Sequence, residues 1–186
     1  MSAARQTRFA WALTGSGHFM KECLELARTL RGQVDFFLSK AVEEVLHMYG
    51  FDKSLREEGF RMFRDTTASG VPVGQLYNGE YHTLIIAPAT SNTVAKCVCG
   101  ISDNLVTNMY AQAGKCRIPT LVFACDTEPV IVTPAPGKEV TVYPREIDLE
   151  SARRLGEYEY TDLVTSMGEL ELGIQGRLEW QKRSSS

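Results

Sequence analysis

Residues 84–107 read LIIAPATSNTVAKCVCGISDNLVT, and this stretch indicates both a fold class and a binding site. Its apolar start, residues 84–87, predicts a buried strand that ends at Pro88. Small polar residues follow, and helical spacing opens at Thr93. A helix that begins where a buried strand ends presents N–H groups and hydroxyls to an anion such as phosphate. The alternative interpretation is an ordinary capped turn without a ligand.

The chain on both sides of this stretch alternates short apolar runs with amphipathic segments. Gly100 separates the helix over residues 93–99 from a second helix that contains Leu105 and Met109. Buried strands that alternate with helices of this length form right-handed βαβ units. The pattern therefore predicts an α/β fold with a mostly parallel sheet. The other predicted elements are strands at 9–13, 33–38 and 118–124 and helices at 18–30 and 39–49.

Four further segments have a less regular pattern. Residues 60–63 fit a short strand, and residues 74–83 fit a short helix or a loop. Asp148 is the predicted N-cap of a helix over 149–156. Residues 158–172 are predicted to form one more helix for packing or oligomer contacts.

Length and composition exclude several classes of protein. The 186 residues fit one domain, predicted as 1–186, in which 127–186 form a C-terminal extension that packs on the core or on neighbouring subunits. A net charge of −3 without a basic stripe argues against nucleic acid. The chain has no run of 18 apolar residues, so the sequence predicts no membrane span. It also shows no pattern of a signal peptide.

Cysteine usage bears on the compartment and on metal binding. Five cysteines, an odd number in apolar or helical contexts, favour a reduced, cytoplasmic protein. Cys97 and Cys99 are too close together for the usual zinc pattern, and no second pair accompanies them. We therefore expect no metal site.

Small polar residues recur where predicted strands end. The four positions are residues 14–17, Ser39, residues 88–93 and residues 124–126. Ligand sites in parallel sheets lie at the carboxyl ends of the strands, near a topological switch point, so these residues are expected at one edge. The chain has neither the dinucleotide fingerprint nor the Walker lysine in its first turn. A phosphate-bearing cofactor is therefore favoured over a nucleoside triphosphate.

The same motifs resemble a known superfamily. Thr14-Gly-Ser16, Ser39, the turn Pro-Ala-Thr-Ser-Asn-Thr at 88–93 and Asp-Asn-Leu-Val-Thr at 103–107 are similar to the homo-oligomeric flavin-containing cysteine decarboxylases. The resemblance covers roughly residues 8–126. It implies an FMN-binding Rossmann-like (flavodoxin-like) three-layer sandwich and a homo-oligomer built on trimers. The FMN-binding residues it implies are Thr14, Gly15, Ser16, Gly17, Ser39, Ala89, Thr90, Ser91, Asn92, Thr93, Asp103, Thr107 and Cys125.

Departures from the decarboxylase pattern change the expected reaction. The catalytic histidine element and the substrate clamp of the decarboxylases are missing. Residues 14–19 and the segments after Phe123 instead resemble the archaeoflavoprotein branch and its relative, dihydromethanopterin reductase of the acceptor type. This resemblance implies an FMN-dependent oxidoreductase that reduces a dihydropterin, dihydromethanopterin to tetrahydromethanopterin. The alternatives are an FMN electron-transfer protein with a protein redox partner and, less favoured, a decarboxylase or flavin prenyltransferase.

Individual residues have competing interpretations. Asn92 and His18 are the catalytic candidates, because an amide can bond to a flavin or substrate carbonyl and His18 lies inside a glycine-rich turn. Asn92 could equally be a helix cap, and His18 a surface residue. His18 and Arg145 are the candidate pterin-binding residues, although Arg145 also fits a solvated helix face. Cys125 also fits a small buried hydrophobe. The electron donor, a ferredoxin or another carrier, has no signal in the sequence.

Overall fold

A computed structural model describes residues 8–66, 70–135 and 137–184 of the chain, and its centre is a six-stranded sheet. Every neighbouring pair of strands in this sheet is parallel. The strands run in the spatial order β3-β2-β1-β4-β5-β8. Their bounds are β1 Arg8–Leu13, β2 Val34–Leu38, β3 Arg61–Arg64, β4 Tyr81–Ala89, β5 Thr120–Ala124 and β8 Thr161–Val164.

Helices cover both faces of the sheet. One core cluster joins the sheet to α1, α2, α3 and α8, and a second joins the other face to α4, α5, α6 and α7. The predicted three-layer α/β fold is therefore confirmed, with the strand order of a doubly wound Rossmann-like sheet. The helices are α1 Met20–Thr29, α2 Lys40–Met48, α3 Phe51–Glu57, α4 Gly70–Tyr77, α5 Ser91–Val98, α6 Leu105–Lys115, α7 Glu146–Leu155 and α8 Met167–Ser184.

Side chains of the central strand β1 show why both faces are covered. Phe9, Trp11 and Leu13 belong to one core cluster, whereas Ala10 and Ala12 belong to the other. Successive strand residues point to opposite faces, so an uninterrupted apolar strand needs a helical layer on each side. The large side chains of β1 thus face α1, α2, α3 and α8, and the small ones let the other layer approach closely.

Strand β4 and helix α5 are longer than the sequence predicted. The strand was expected at 84–87 and spans Tyr81–Ala89, with an irregular register towards β5 after Ile86. The helix was expected to open at Thr93 and begins at Ser91. Thr90 is the N-cap, and its hydroxyl accepts a hydrogen bond from the N–H of Thr93. The prediction was wrong by two residues because Thr90, rather than Asn92, satisfies the first turn.

Two predictions for the last sixty residues were wrong. Residues 161–164 were assigned to a helix but form β8, which pairs with β5 and completes the sheet. The N-cap of α7 is Arg145, not Asp148. Asp148 lies one turn inside the helix, where its carboxylate accepts a hydrogen bond from the Arg145 N–H at 2.9 Å. The segment 127–186, predicted as an extension, thus contributes an edge strand to the main sheet.

A separate hairpin follows β5. It consists of β6 Ile131–Ala135 and β7 Lys138–Val142, which pair antiparallel.

In the described part of the chain, no helix combines the length and the hydropathy that crossing a bilayer requires.

Candidate functional site

The carboxyl ends of β1 and β4 are joined by the side chain of Thr14. Its hydroxyl donates to the carbonyl of Pro88 at 2.8 Å and accepts from the N–H of Thr90 at 2.9 Å. These two strands are neighbours at the point where the strand order reverses. A crevice opens at such a switch point, so Thr14 holds its two walls together. Because its only hydroxyl hydrogen is used, Thr14 has no donor left for a ligand.

Gly15 lets the N-terminus of α2 approach the turn after β1. A Cβ atom built at Gly15 would lie 2.8 Å from the Cβ of Ala41 and 3.3 Å from its carbonyl carbon. Ordinary contacts between carbon atoms are about 3.5–4.0 Å, so a side chain at this position would push the helix away. The absence of a side chain at Gly15 therefore allows α2 to pack close to the end of β1.

Two helix N-termini meet at this turn. The Ser39 hydroxyl caps α2 by accepting from the N–H of Val42 at 3.2 Å, as Thr90 caps α5. The first N–H groups of a helix have no acceptor within it, and each cap satisfies only one or two of them. The N–H groups of Lys40 and Ala41 in α2, and of Ser91 and Asn92 in α5, therefore have no partner from their own helices. Together they favour an anion at this point.

We call the cavity between these helix ends the polar pocket. Its volume is about 310 Å³. Lys40, Lys96 and Asp65 are the charged residues of its lining, and the two helix N-termini add partial positive charge. The Lys96 ammonium forms an ion pair with Asp103 at 2.7 Å, at the rim of the pocket. The lining residues are Thr14, Gly15, Ser39, Lys40, Ala41, Asp65, Thr90, Asn92, Thr93, Lys96 and Asn104.

A second cavity adjoins the first, and we call it the hairpin pocket. It measures about 410 Å³ and shares Gly15 and Thr90 with the polar pocket. One wall is the inner face of the β6–β7 hairpin, and the other is the glycine-rich turn with α2. The lining is mainly apolar or aromatic, unlike that of its neighbour. It consists of Gly15, Ser16, Gly17, His18, Val45, Met48, Tyr49, Thr90, Asp126, Ile131, Thr133, Ala135, Val140 and Val142.

His18 lies in the wall of the hairpin pocket close to Asp126. Partial burial lowers the pKa of His18, and the carboxylates of Asp126 and Glu22 oppose that shift. The imidazole is therefore predominantly neutral at pH 7, with one nitrogen donating and the other accepting. Its ring packs against Phe19 with a centroid distance of 3.9 Å, which orients it.

Cys125 lies beneath the glycine-rich turn. Its thiol donates to the Ser16 hydroxyl at 3.3 Å, and burial raises the pKa of Cys125 to about 12. The side chain is only 5% exposed. Its thiol is protonated at neutral pH, so Cys125 supports the turn that forms the pocket wall rather than supplying a thiolate.

The structure brings most of the predicted site residues together. Those that line at least one pocket are Thr14, Gly15, Ser16, Gly17, His18, Ser39, Thr90, Asn92 and Thr93. Ala89 is buried in β4, and its carbonyl accepts from the Cys125 N–H at 3.0 Å. Ser91 contributes the first residue of α5. These positions follow from the strand ends that the sequence analysis grouped at one edge.

Six predicted residues lie outside the lining of both pockets: Ala89, Ser91 and Cys125, described above, and Asp103, Thr107 and Arg145. Thr107 is buried and caps α6 reciprocally with Asn104. Asp103 is exposed and reaches the polar pocket only through Lys96. Arg145 is held by two hydrogen bonds from its guanidinium to Asp148, at 2.8 and 2.9 Å. Within one chain, Arg145 is therefore not placed to contact a ligand in either pocket, and its role in binding substrate stays a prediction.

Sequence reasoning missed several lining residues. Lys40 and Lys96 are the cations of the polar pocket, and both lie on helices that the sequence predicted. Their positions, one residue after Ser39 and four after Asn92, were a usable signal. Tyr49 and the hairpin residues had no signal in the sequence that pointed to the pocket, because the hairpin reaches the pocket only through tertiary packing.

Comparisons with known proteins give this site a context. Residues 2–176 match the family model named Flavoprotein. A crystal structure of Burkholderia xenovorans DmrB in complex with FMN, described as a cubic protein cage for redox transfer, is 54% identical. The two structures agree with a TM-score of 0.88 over 97% of this chain and 99% of that one.

Two further proteins are similar in sequence. An uncharacterised protein of Methanocaldococcus jannaschii is 33% identical over 95% of this chain and 98% of its own length. The dihydromethanopterin reductase (acceptor) of Methanosarcina mazei is 38% identical over 69% of this chain. The match spans 59% of that reductase.

Proposed function

The chain belongs to the flavoprotein family, and from this premise we propose that it binds FMN across the two pockets and acts as an FMN-dependent oxidoreductase. The finer proposal is that it reduces a dihydropterin, with dihydromethanopterin as the first candidate. The name of the Methanosarcina mazei relative and the FMN complex of the Burkholderia xenovorans protein support this choice.

One observation carries the proposal: a polar pocket at two helix N-termini and a mainly apolar pocket share Gly15 and Thr90 at the switch point of the sheet. FMN has a phosphate at one end, a polyhydroxylated chain and a flat ring system at the other. The polar pocket offers N–H groups and the Ser39 hydroxyl to the phosphate, with Lys40 as a countercharge and Lys96, paired with Asp103, at its rim. The hairpin pocket offers an apolar enclosure to the ring. Gly15 and Thr90, which line both, would lie beside the connecting chain.

The residues of the chain then have separable tasks. FMN, when bound, supplies the redox chemistry, so the protein has to bind, orient and shield it. Thr14 positions the two strand ends, and Asn92 in the polar pocket can donate its side-chain amide to an oxygen of the phosphate or of the polyhydroxylated chain. The hairpin limits access of water to one side of the hairpin pocket.

His18 is the residue that we propose for the pterin. Its neutral imidazole can donate to one ring nitrogen of a pterin or accept from an amino group. Asp126 in the same wall can accept from the amino and N–H groups that pterins carry. A neutral histidine beside a carboxylate suits an uncharged heterocycle with alternating donors and acceptors.

We further propose that the protein is a homo-oligomer built on trimers. Side chains on and beside the outer face of the hairpin are exposed although apolar: Val130, Val132, Tyr143 and Ile147 are 55–73% accessible. Such a patch on a monomer marks a contact surface. Light scattering should give a mass of three chains or a multiple of three. A monomer would refute the proposal.

The second candidate function is an FMN electron carrier that serves a protein such as a ferredoxin. The open hairpin pocket beside this exposed apolar surface favours it, because a docked partner could approach the site. Direct turnover with a small acceptor is what distinguishes the two functions.

Two measurements test the proposal in order. The purified protein should show flavin absorbance near about 370 and 450 nm, since the chromophore belongs to the cofactor. Absence of both bands after reconstitution with FMN would refute FMN binding.

The second measurement uses protein that has been reduced anaerobically with dithionite and is mixed with dihydromethanopterin in a stopped-flow instrument. The rate of its reoxidation should rise in proportion to the pterin concentration. Reoxidation by oxidised ferredoxin alone would assign the electron-carrier function instead.

A further inference from the structure

A third cavity lies at the opposite edge of the sheet from the proposed FMN site. It is bounded by the amino ends of β4 and β5 and by the last turns of α8, and we call it the amino-edge cavity. Its volume is about 330 Å³. The lining residues are His82, Arg117, Ile118, Pro119, Arg177 and Trp180. None of them belongs to either pocket described above.

Two arginines give this cavity its charge, and none of its lining residues is acidic. Among the described residues, neither Arg117 nor Arg177 has a carboxylate within 4 Å. Arg177 donates from Nε to the Thr83 hydroxyl at 3.0 Å, and its guanidinium lies 4.5 Å from the centroid of the Trp180 ring. Burial lowers the pKa of Arg177, and the nearby charge of Asp162 offsets this only in part. A guanidinium that is partly desolvated and unpaired is costly unless an anion accompanies it.

His82 is a second sign of a missing partner. The residue is 8% exposed, and its Nδ1 lies 2.8 Å from the Thr83 hydroxyl that also accepts from Arg177. Its Nε2 is buried and has no hydrogen-bond partner among the residues that the structure describes. Buried polar atoms nearly always have one, so this atom marks an incomplete polar network. Desolvation and the charge of Arg177 both lower the pKa of His82, which stays neutral beside the arginines.

We propose that the amino-edge cavity binds a small oxyanion, a phosphate or a carboxylate, between Arg117 and Arg177. Two guanidiniums that converge on one cavity suit a group with several acceptor oxygens, because each offers a planar set of donors. Trp180, Ile118 and Pro119 form apolar walls, so the anionic group can carry a flat or aliphatic body. The site is independent of the proposed redox function, since it lies across the sheet from the FMN pockets.

Equilibrium dialysis of FMN-saturated protein against radiolabelled inorganic phosphate tests this proposal. Saturation with FMN fills the phosphate-binding part of the polar pocket, so further saturable binding reports another site. We expect one phosphate per chain. Arg117→Gln and Arg177→Gln should each weaken it by about tenfold or more, because a charge-assisted hydrogen bond is lost. Competition by acetate would assign the site to oxyanions in general, and failure to compete would assign it to phosphate.

A matched control distinguishes binding at this cavity from a general effect of net charge on phosphate binding. Arg154→Gln removes an exposed arginine from α7, outside the cavity, and should leave phosphate binding unchanged. Retained flavin absorbance shows that each variant is folded. Arg117 is exposed and lies outside α8, so its variant tests the proposal even where loss of Arg177 disturbs α8. Absence of saturable binding, or equal binding by the wild type and both cavity variants, would overturn the proposal.

Discussion

The close approach of α2 to the turn after β1 makes Gly15→Ala a sharp test of how the polar pocket is built. The new Cβ would lie 2.8 Å from the Ala41 Cβ. Because carbon atoms normally keep about 3.5–4.0 Å apart, the first turn of α2 has to move by roughly 0.7–1.2 Å. A hydrogen bond of about 2.9 Å that is lengthened by this amount is no longer one.

The magnitude follows from what that turn contributes. Loss of one charge-assisted hydrogen bond from the N–H of Lys40 or Ala41 to a phosphate costs about 1.5–3 kcal/mol. FMN affinity should therefore fall by roughly 10- to 150-fold. The overpacked turn should also lower the free energy of unfolding by about 1–3 kcal/mol. Fluorescence quenching of FMN, titrated with apoprotein at fixed ionic strength, measures the affinity.

Two further variants make the test decisive. Ala41→Gly in the Gly15→Ala background removes the closest contact but leaves the 3.3 Å approach to the backbone of residue 41, so it should restore part of the affinity. Gly176→Ala, where an added Cβ meets nothing within 4 Å, is the control for glycine replacement as such. Wild-type affinity in Gly15→Ala, or no recovery in the double variant, would refute the view that this contact places α2.

Three other predictions concern single residues. Thr14→Val should lower the free energy of unfolding by about 1–3 kcal/mol in urea, whereas Thr14→Ser should not, because only the former loses both hydrogen bonds across the switch point; equal stability of the two would contradict this role. The pKa of His82 is about 4 in the folded protein against 6.5 unfolded, so the unfolded state binds more protons as pH falls. Wild type should therefore lose about 2–3 kcal/mol between about pH 7 and pH 4.5 that His82→Gln does not lose. A parallel acid response in the two would exclude His82 as the cause, and the exposed His47→Gln should behave as wild type. Iodoacetamide at pH 8 should alkylate exposed Cys99 and spare Cys125, whose buried thiol has a pKa of about 12; peptide mass spectrometry showing equal labelling would refute its burial.

The site was predictable to the extent that it is made of strand ends followed by helix starts. Ser39 and Thr90 are hydroxyl residues directly before amphipathic stretches, and a cap of this kind is encoded within four residues. Arg145 shows the limit of the same reasoning. The capping signal at Asp148 was correctly noticed but assigned three residues too late, because the carboxylate serves the N–H group of the preceding turn.

Strand β8 and the hairpin were beyond sequence reasoning for a different reason. Residues 161–164 carry no alternation strong enough to separate a strand from a helix, and their pairing with β5 joins positions about forty residues apart. The hairpin pocket likewise depends on residues 131–142 folding back over the turn at Gly15–His18. Such contacts are chosen by long-range packing, which local propensity does not encode.

The amino-acid sequence by itself determined the alternation of strands and helices up to β5, the cap of α2 at Ser39 and the polar residues that follow each central strand. These features depend on neighbours within a few positions, where side-chain period and hydrogen-bonding groups act directly. The tertiary structure alone decided that β1 and β4 are neighbours at the switch point, that Thr14 joins them, and that the hairpin closes one side of the cavity. It also decided that Arg117 and Arg177 share a cavity at the far edge, because only packing of α8 against the sheet brings together residues sixty positions apart.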